Sequence, residues 1–355
     1  MTPPSEVTLE LTPRARYDAI DVRERLREGY GDLLSSYRRA LYCSYHTTAG
    51  YLEQSLASRL GERDERLDPY IGLFRQLFPP DADYNHDKLH LRSELSPEQR
   101  QNEPKNADSH LAFIGSGLRN CVTYVNRDSA PVYFIDLDGV NGEEARQRQT
   151  TVLAFNREID LGNLETDIPV STHPVDSINL KDPRVGLYAE LEHEVERRGI
   201  QKGRVDIALE AGERNAGLTV NEYETLLMKH DLTEVLRNPL RYMAEKGRNM
   251  LADPRAIPGK TRDYAKYDLV RVLNQMIDSF GASESLLERV MARVMAVPAE
   301  RFLRLKRSVS LLVSDRNPEG RPAIVQGTYQ SPVLVQWSKA NAGRRRLSVR
   351  FTRFE

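Results

Sequence analysis

A short motif occurs twice in this chain, in the same setting each time, and any fold must accommodate both copies. His46-Thr47-Thr48-Ala49-Gly50 follows the strand-like run 40–45, and Glu213-Arg214-Asn215-Ala216-Gly217 follows the strand-like run 205–209. Each precedes a segment with helical spacing. Later landmarks recur in order. Ala49-Gly50 returns as Ala216-Gly217, 167 residues on, and Pro131 returns as Pro332, 201 residues on. Each proline opens an apolar strand, followed by a polar turn and a strand that starts with arginine (146–155 and 344–351). The unequal offsets place extra residues, mostly helical, in the second copy. The chain therefore reads as a tandem duplication. The Asp-, Asn- and Pro-rich stretch 156–179 reads as a loop and gives a boundary, with domains at 1–160 and 161–355.

Length supports two domains, since 355 residues exceed one ordinary domain. Lys+Arg 51 against Asp+Glu 52 leaves net −1, so no global field attracts nucleic acid or an anionic membrane. No apolar run reaches the roughly 20 residues of a membrane span. The first residues lack the basic and apolar regions of a signal peptide. Cys43 and Cys121 sit in apolar settings without a CxxC pair, which points to buried thiols and a cytoplasmic protein.

Element patterns agree with an α+β class, each half a mainly antiparallel sheet with packed helices. Strands are predicted at 7–11, 111–114, 121–125, 131–137 and 148–155, and again at 309–313, 323–326, 333–337 and 347–351. Helices are predicted from Asp21 as cap, at 50–60, 68–78, 185–198, 219–251 and 267–280, with a polar insert at 253–264. Residues 84–104 are turn-rich and read as a surface excursion carrying His86 and His90.

At the motif residues the chain resembles the YjbQ-like family of small proteins, associated with a secondary thiamine-phosphate synthase activity. The first copy supplies His46-Thr47-Thr48-Ala49-Gly50, Tyr84-Asn85-His86-Asp87 and Asn106-Ala107-Asp108-Ser109-His110-Leu111, in the family's order. The second supplies Leu218-Thr219-Val220-Asn221-Glu222 and Gly327-Thr328-Tyr329-Gln330. Departures are specific. The first copy has Gln54-Ser55 where the acid would fall and Asp128-Ser129-Ala130 for Gly-Thr-Trp-Gln. The second has Glu213-Arg214-Asn215 for His-Thr-Thr. The resemblance implies YjbQ-like domains in a trimer-related homo-oligomer. The activity it implies joins a pyrimidine diphosphate to a thiazole phosphate with loss of pyrophosphate.

Four of the seven histidines, His46, His86, His90 and His110, lie within 65 residues. Imidazole is a common ligand of zinc and similar ions. His46, His86 and His110 coincide with motif positions, and three imidazoles leave one position open on a tetrahedral ion. They form the expected divalent metal set, zinc first. Asp87, Asn106 and Asp108 lie beside the motif histidines as candidate catalytic groups, Asp87 and Asp108 as orienting acceptors or a ligand. His46 with Thr47 and Thr48 suits an alternative: proton transfer, with hydroxyls and amides ahead of a helix holding a phosphate oxygen. The same two threonines equally suit simple helix capping. Lys88, Arg92 and Arg119 are the candidate cations for a phosphorylated metabolite. Asn221, Glu222 and Gln330 would complete the site from the second copy, Glu222 in a catalytic role and the other two in substrate binding. Glu213 and Arg214 could pair with each other. Arg344-Arg345-Arg346 reads as a basic run guarding a sheet edge. No phosphate loop, dinucleotide fingerprint, nucleophile elbow or HExxH is present. The alternatives are metal-assisted hydrolysis or transfer on another small metabolite, and a non-catalytic metal- or metabolite-binding assembly protein.

Overall fold

Two antiparallel sheets lie face to face, each backed on its outer side by a helix and a smaller sheet. The computed structural model describes residues 2–60, 64–80, 84–93, 95–127, 130–223, 231–232, 305–316 and 320–355. The first half runs β1 (Ser5–Leu11), β2 (Asp18–Asp21), α1 (Val22–Tyr30), β3 (Arg39–Ser44), β4 (Ala49–Gly50), α2 (Gln54–Arg59), α3 (Asp64–Leu77), α4 (Pro97–Asn102), α5 (Ala107–Ser116), β5 (Cys121–Val125), β6 (Tyr133–Asp136), β7 (Val140–Asn141), β8 (Glu144–Ala145) and β9 (Arg148–Phe155). The second runs β10 (Glu158–Pro169), β11 (Asp176–Asn179), α6 (Leu187–Arg197), β12 (Gly203–Leu209), β13 (Ala216–Asn221), β14 (Ser308–Ser314), β15 (Ala323–Val325), β16 (Ser331–Gln336) and β17 (Arg344–Phe354).

The strand orders repeat. The large sheets are β1-β9-β3-β5 and β10-β17-β12-β14-β15, and the small ones are β2-β6-β4 and β11-β16-β13. Alternation along each strand decides which face is buried. Val7, Leu9, Tyr42, Val152 and Ala154 pack outward onto Val22, Leu26 and Phe134. Val205, Ile207, Val349 and Phe351 pack outward onto Leu187, Leu191, Val195 and Leu334. Between the large sheets lie Leu41, Cys43, Cys121, Leu153 and Phe155 against Leu312 and Phe354, with both thiols buried. Phe155 and Phe354 stack with centroids 3.8 Å apart. A fourth cluster joins α2, α3 and α5 to Val333 and Val335 of β16, so the halves share a core.

The Ala-Gly echo has a steric cause: both pairs lie in strands, Ala49-Gly50 just ahead of α2. Tyr51 and Arg119 exchange backbone hydrogen bonds of 2.8 and 2.7 Å, and Leu218 and Lys306 exchange bonds of 2.7 and 3.1 Å. A Cβ on Gly50 would lie 2.4 Å from the Arg119 carbonyl oxygen, and one on Gly217 2.6 Å from Leu305 Cβ. Close approach requires glycine at both places.

Several expectations are corrected. Residues 111–114 are helical, within α5, every side chain of which is buried. A short, wholly apolar run has no periodicity to separate helix from strand. Residues 156–179 hold β10 and β11 rather than a loop. β10 is an edge strand whose Leu161, Leu164 and Ile168 pack on the core, and its acids meet basic β17, as in the Asp167–Arg346 pair at 3.2 Å. The Arg344–Arg346 run therefore lies on an interior strand, not an edge. The helix predicted over 50–60 begins only at Gln54. The one predicted from Thr219 begins inside β13. Its continuation from 224 to 251, apart from Asp231 and Leu232, lies outside the described residues, as do the insert at 253–264 and the helix at 267–280. No described helix is long and apolar enough to cross a membrane.

Candidate metal centre and cleft

His110 is carried by α5, which Gly117 ends in a left-handed conformation. His86 lies beyond α3, in a segment read as surface, yet its own side chain is wholly buried. The Asp231 carboxylate fixes it there, accepting from the backbone amides of Asn85 (3.1 Å) and His86 (2.8 Å). The two imidazole centroids are 5.2 Å apart.

Hydrogen bonding fixes the ring tautomers. Nδ1 of His86 lies 2.9 Å from Asp87 Oδ1, and Nδ1 of His110 lies 2.8 Å from Asn221 Oδ1. The Asn221 oxygen also accepts from the Glu222 amide at 2.8 Å, so it is the acceptor end of that side chain. Each Nδ1 thus carries the proton, and each Nε2 presents a lone pair. Among the described residues both buried Nε2 atoms are without a partner, which costs about 1–3 kcal/mol apiece. A carboxylate oxygen of Glu222 completes the group: the three donor atoms lie within 4.8 Å of one another, and Glu222 Oε1 is 3.9 Å from His110 Nε2. Tetrahedral zinc places such donors roughly 3.3 Å apart, so a modest contraction closes the set. Thr47 Oγ1 donates to Glu222 at 3.0 Å and steadies the carboxylate. Burial, reinforced by His86, lowers the His110 pKa to about 3, against smaller opposing effects of Asp138, Asn221 and Asp87. The ring is therefore neutral, as a ligand must be.

His46 is not in this group, and Glu222 takes the place expected for it. Its Nε2 accepts from the Gln149 amide at 2.8 Å, which uses the lone pair a metal would need. Burial, then Arg148 and Arg146, lower its pKa to about 3. His46 instead lines a cleft of about 690 Å³ together with Thr47, Thr48, Asn106, Arg146, Arg148, Glu222 and Tyr329. The metal group and the cleft meet at Glu222.

The other predicted residues divide between positioning and distant sites. Asp87 orients His86 and accepts from the Ala107 amide at 3.1 Å. Asn106 donates to Asp138 at 2.7 Å. Asp108 pairs with Arg16 at 2.8 Å, and burial lifts its carboxyl to about 6 against the pull of that arginine. Thr48 lies 3.4 Å from the Arg148 guanidinium; neither it nor Thr47 caps a helix. Gln330 is buried, donating to the carbonyls of Ser44 and His46 at 2.9 Å each. Asn221 holds His110. The predicted cations do not line the cleft. Lys88 lies against Asn85 (3.3 Å), and Arg92 is buried on Glu103 (2.8 Å). Arg119 belongs to a separate groove, donating to the Ser308 carbonyl at 2.7 Å and paired with Glu53. Glu213 pairs with Arg345 rather than Arg214.

The cleft's own cations, Arg146 and Arg148, were not singled out from the sequence. Arg148 is buried in a bidentate pair with Asp136 (2.6 and 2.9 Å), and Arg146 binds Asp138 at 3.0 Å. Their alternate placement at a strand start was the available signal, since both project to one face.

No protein-family model matches the sequence, and no curated protein matches it. Among solved structures the chain is similar to a YbjQ-like protein of unknown function from Sulfolobus solfataricus P2, at 16% identity over 56% of this chain and 99% of that one, with a TM-score of 0.30. It is similar to a hypothetical protein from Aeropyrum pernix K1, at 14% identity over 54% and 98%, TM-score 0.29. It is also similar to an uncharacterised conserved protein of the YjbQ/UPF0047 family from Clostridium acetobutylicum, at 14% identity over 53% and 98%, TM-score 0.24.

Proposed function

We propose that the chain is a metal-dependent enzyme acting on a small phosphorylated metabolite, with the metal held by His86, His110 and Glu222. One observation carries this reading: two buried Nε2 lone pairs without partners among the described residues, each fixed by an oxygen on Nδ1, converge with a carboxylate. Two imidazoles and a carboxylate with an open fourth position suit catalytic zinc. Such an ion, when bound, supplies Lewis-acid stabilisation of charge on a substrate oxygen. The chain's residues orient and bind. Asp87 and Asn221 hold the rings, Thr47 holds Glu222, and Arg146, part-exposed beside Asp138, offers a guanidinium to phosphate, while Arg148 is buried and neutralised by Asp136.

Within this class, the sequence resemblance favours a thiamine-phosphate synthase-like transfer. There a thiazole nitrogen would form a C–N bond as the C–O bond to diphosphate breaks, its electron pair leaving with pyrophosphate. The test has two arms. Zinc should bind untagged protein at one equivalent per chain and be lost in His110→Ala. Expression should rescue a strain lacking thiamine-phosphate synthase. Zinc binding without rescue leaves hydrolysis or transfer on another phosphorylated metabolite; no zinc binding overturns the metal reading. We also propose that the repeated strand order records a tandem duplication and that the chain self-associates.

A further inference from the structure

Cys43 and Cys121 face each other across β3 and β5, and the kind of rung they occupy sets how close they come. Asn126 N donates to the Arg38 carbonyl at 2.9 Å, and Ser44 N to the Asn120 carbonyl at 2.7 Å. Hydrogen-bonded pairs alternate between those two, so Cys43 and Cys121 form a non-hydrogen-bonded pair. Such a pair holds its Cα atoms about 4.5 Å apart with both side chains on one face, within the roughly 4.4–6.8 Å that a disulfide spans. Both are free thiols between the large sheets, and Cys43 lies within hydrogen-bond reach of Cys121. The fold does not need sulfur at this rung. Cys121 stands two residues after Arg119, as Ser308 stands two after Lys306, and Ser308 faces Ala208 across β14 and β12. Cys121 also lines the groove of about 430 Å³ that holds Arg119 and Arg204. One thiol is thus approached from the groove, and the other stands directly behind it.

We propose that Cys43 and Cys121 are a redox modification site, closed to a disulfide by a small hydroperoxide that enters through this groove. The Cys121 sulfur attacks the O–O bond and keeps one oxygen as a sulfenic acid; the other oxygen leaves as water. The Cys43 sulfur then attacks the Cys121 sulfur, the S–O bond breaks, and the hydroxyl leaves as a second water with the Cys43 proton. Two thiols and one hydrogen peroxide give one disulfide and two waters, sulfur being oxidised and peroxide reduced. Burial, reinforced by Cys43 and opposed by Arg204, holds the Cys121 thiol well above its ordinary range, so the site answers sustained oxidation and not a brief pulse. The disulfide staples two strands at the foot of the His46 loop. Ser44 and Asn120 form the next rung, and Asn120 Nδ2 donates to the His46 carbonyl.

The test treats the folded full chain with hydrogen peroxide, alkylates the remaining thiols and maps the linkage by mass spectrometry. A Cys43–Cys121 peptide should form within one chain. The urea midpoint should rise by about 1 M and return on adding dithiothreitol. Cys121→Ser, which installs the residue found at the matching rung, should show neither change. Cys43→Ala should stop at the sulfenic acid, trapped by dimedone on Cys121. Two free thiols after treatment of the folded chain, or Cys121 carried to the sulfinic acid with Cys43 still free, overturns the site. So does a linkage that forms only in urea.

Discussion

The same buried arginine occurs in both halves, with its charge neutralised from different places. Arg148 opens β9 and Arg345 is the second residue of β17; both are buried. Each donates to a carbonyl just past the hairpin strand, Asp138 or Ser338, at 2.7 Å. Each reaches the residue that ends the strand, Asp136 or Gln336, and each reaches the motif loop, at His46 or Glu213. The carboxylate comes from a different place in each half. It is Asp136 on the strand in the first half and Glu213 in the loop in the second. With the charge met from the strand, the first half's loop is free to carry a neutral histidine facing the cleft. The second half spends that loop position on its own arginine. Only one of two equivalent loops can serve a site.

The largest expected effect breaks this comparison directly. Asp136→Asn strands a buried guanidinium and should cost about 3–5 kcal/mol of unfolding free energy, read from urea titration. Gln336→Leu, at the equivalent position, should cost only about 1 kcal/mol because Glu213 still pairs with Arg345. Equal losses would mean that the charge partner has not been exchanged. Next in size is the metal group, which crosses the halves because the first carries Gln54-Ser55 where the second carries Asn221-Glu222. Glu222→Gln should weaken zinc at least about tenfold in a competition assay with a chelating dye, and Asn221→Ala about tenfold through the loosened His110 ring. Undiminished zinc affinity in both would confine the centre to the first half.

His46 sharpens the comparison at intermediate size. Its pKa is lowered to about 3 in the folded chain, below the ordinary 6.5. At low pH the unfolded chain takes the proton and the folded chain does not. Stability from this group is therefore intact above about pH 6.5 and lost as pH falls toward 3. Each unit in that window costs up to about 1.4 kcal/mol. His46→Gln should flatten the pH dependence of unfolding between pH 4 and 6 by nearly that slope. An unchanged slope would show the ring to be solvated.

Much of the α+β pattern was legible because β1 and β12 alternate along their length, and Asp21 caps α1 in the expected way. The errors fall where that signal is absent or interrupted. Helix α5 is buried all round, and in β10 the alternation of Ile159, Leu161, Leu164 and Ile168 is broken by a bulge between Asp160 and Asn163. The site was readable as residue types but not as geometry. His86, His110 and Glu222 were all named, yet nothing local distinguishes His46, whose lone pair is consumed by an amide 103 residues away. Arg148 was missed because its meaning depends on Asp136, twelve residues back across a hairpin.

The smallest expected effect lies where the halves agree most closely. Each outer helix is followed by glycine at positive φ, Gly31 at 60° and Gly199 at 61°, with the amide donating to a helix carbonyl at 3.0 Å. An added Cβ meets nothing within 4 Å at either position, so an alanine there pays for backbone conformation alone. Gly31→Ala and Gly199→Ala should therefore each lose about 1–2 kcal/mol by urea unfolding, without altering zinc or phosphate binding. Asparagine should recover part of the loss, because its side chain tolerates positive φ. A loss at one glycine only would show that one connection can relax where the other cannot. The repeat would then be one of strand order and not of backbone energetics, and the divergence seen at the arginine would extend to the turns that set the helices in place.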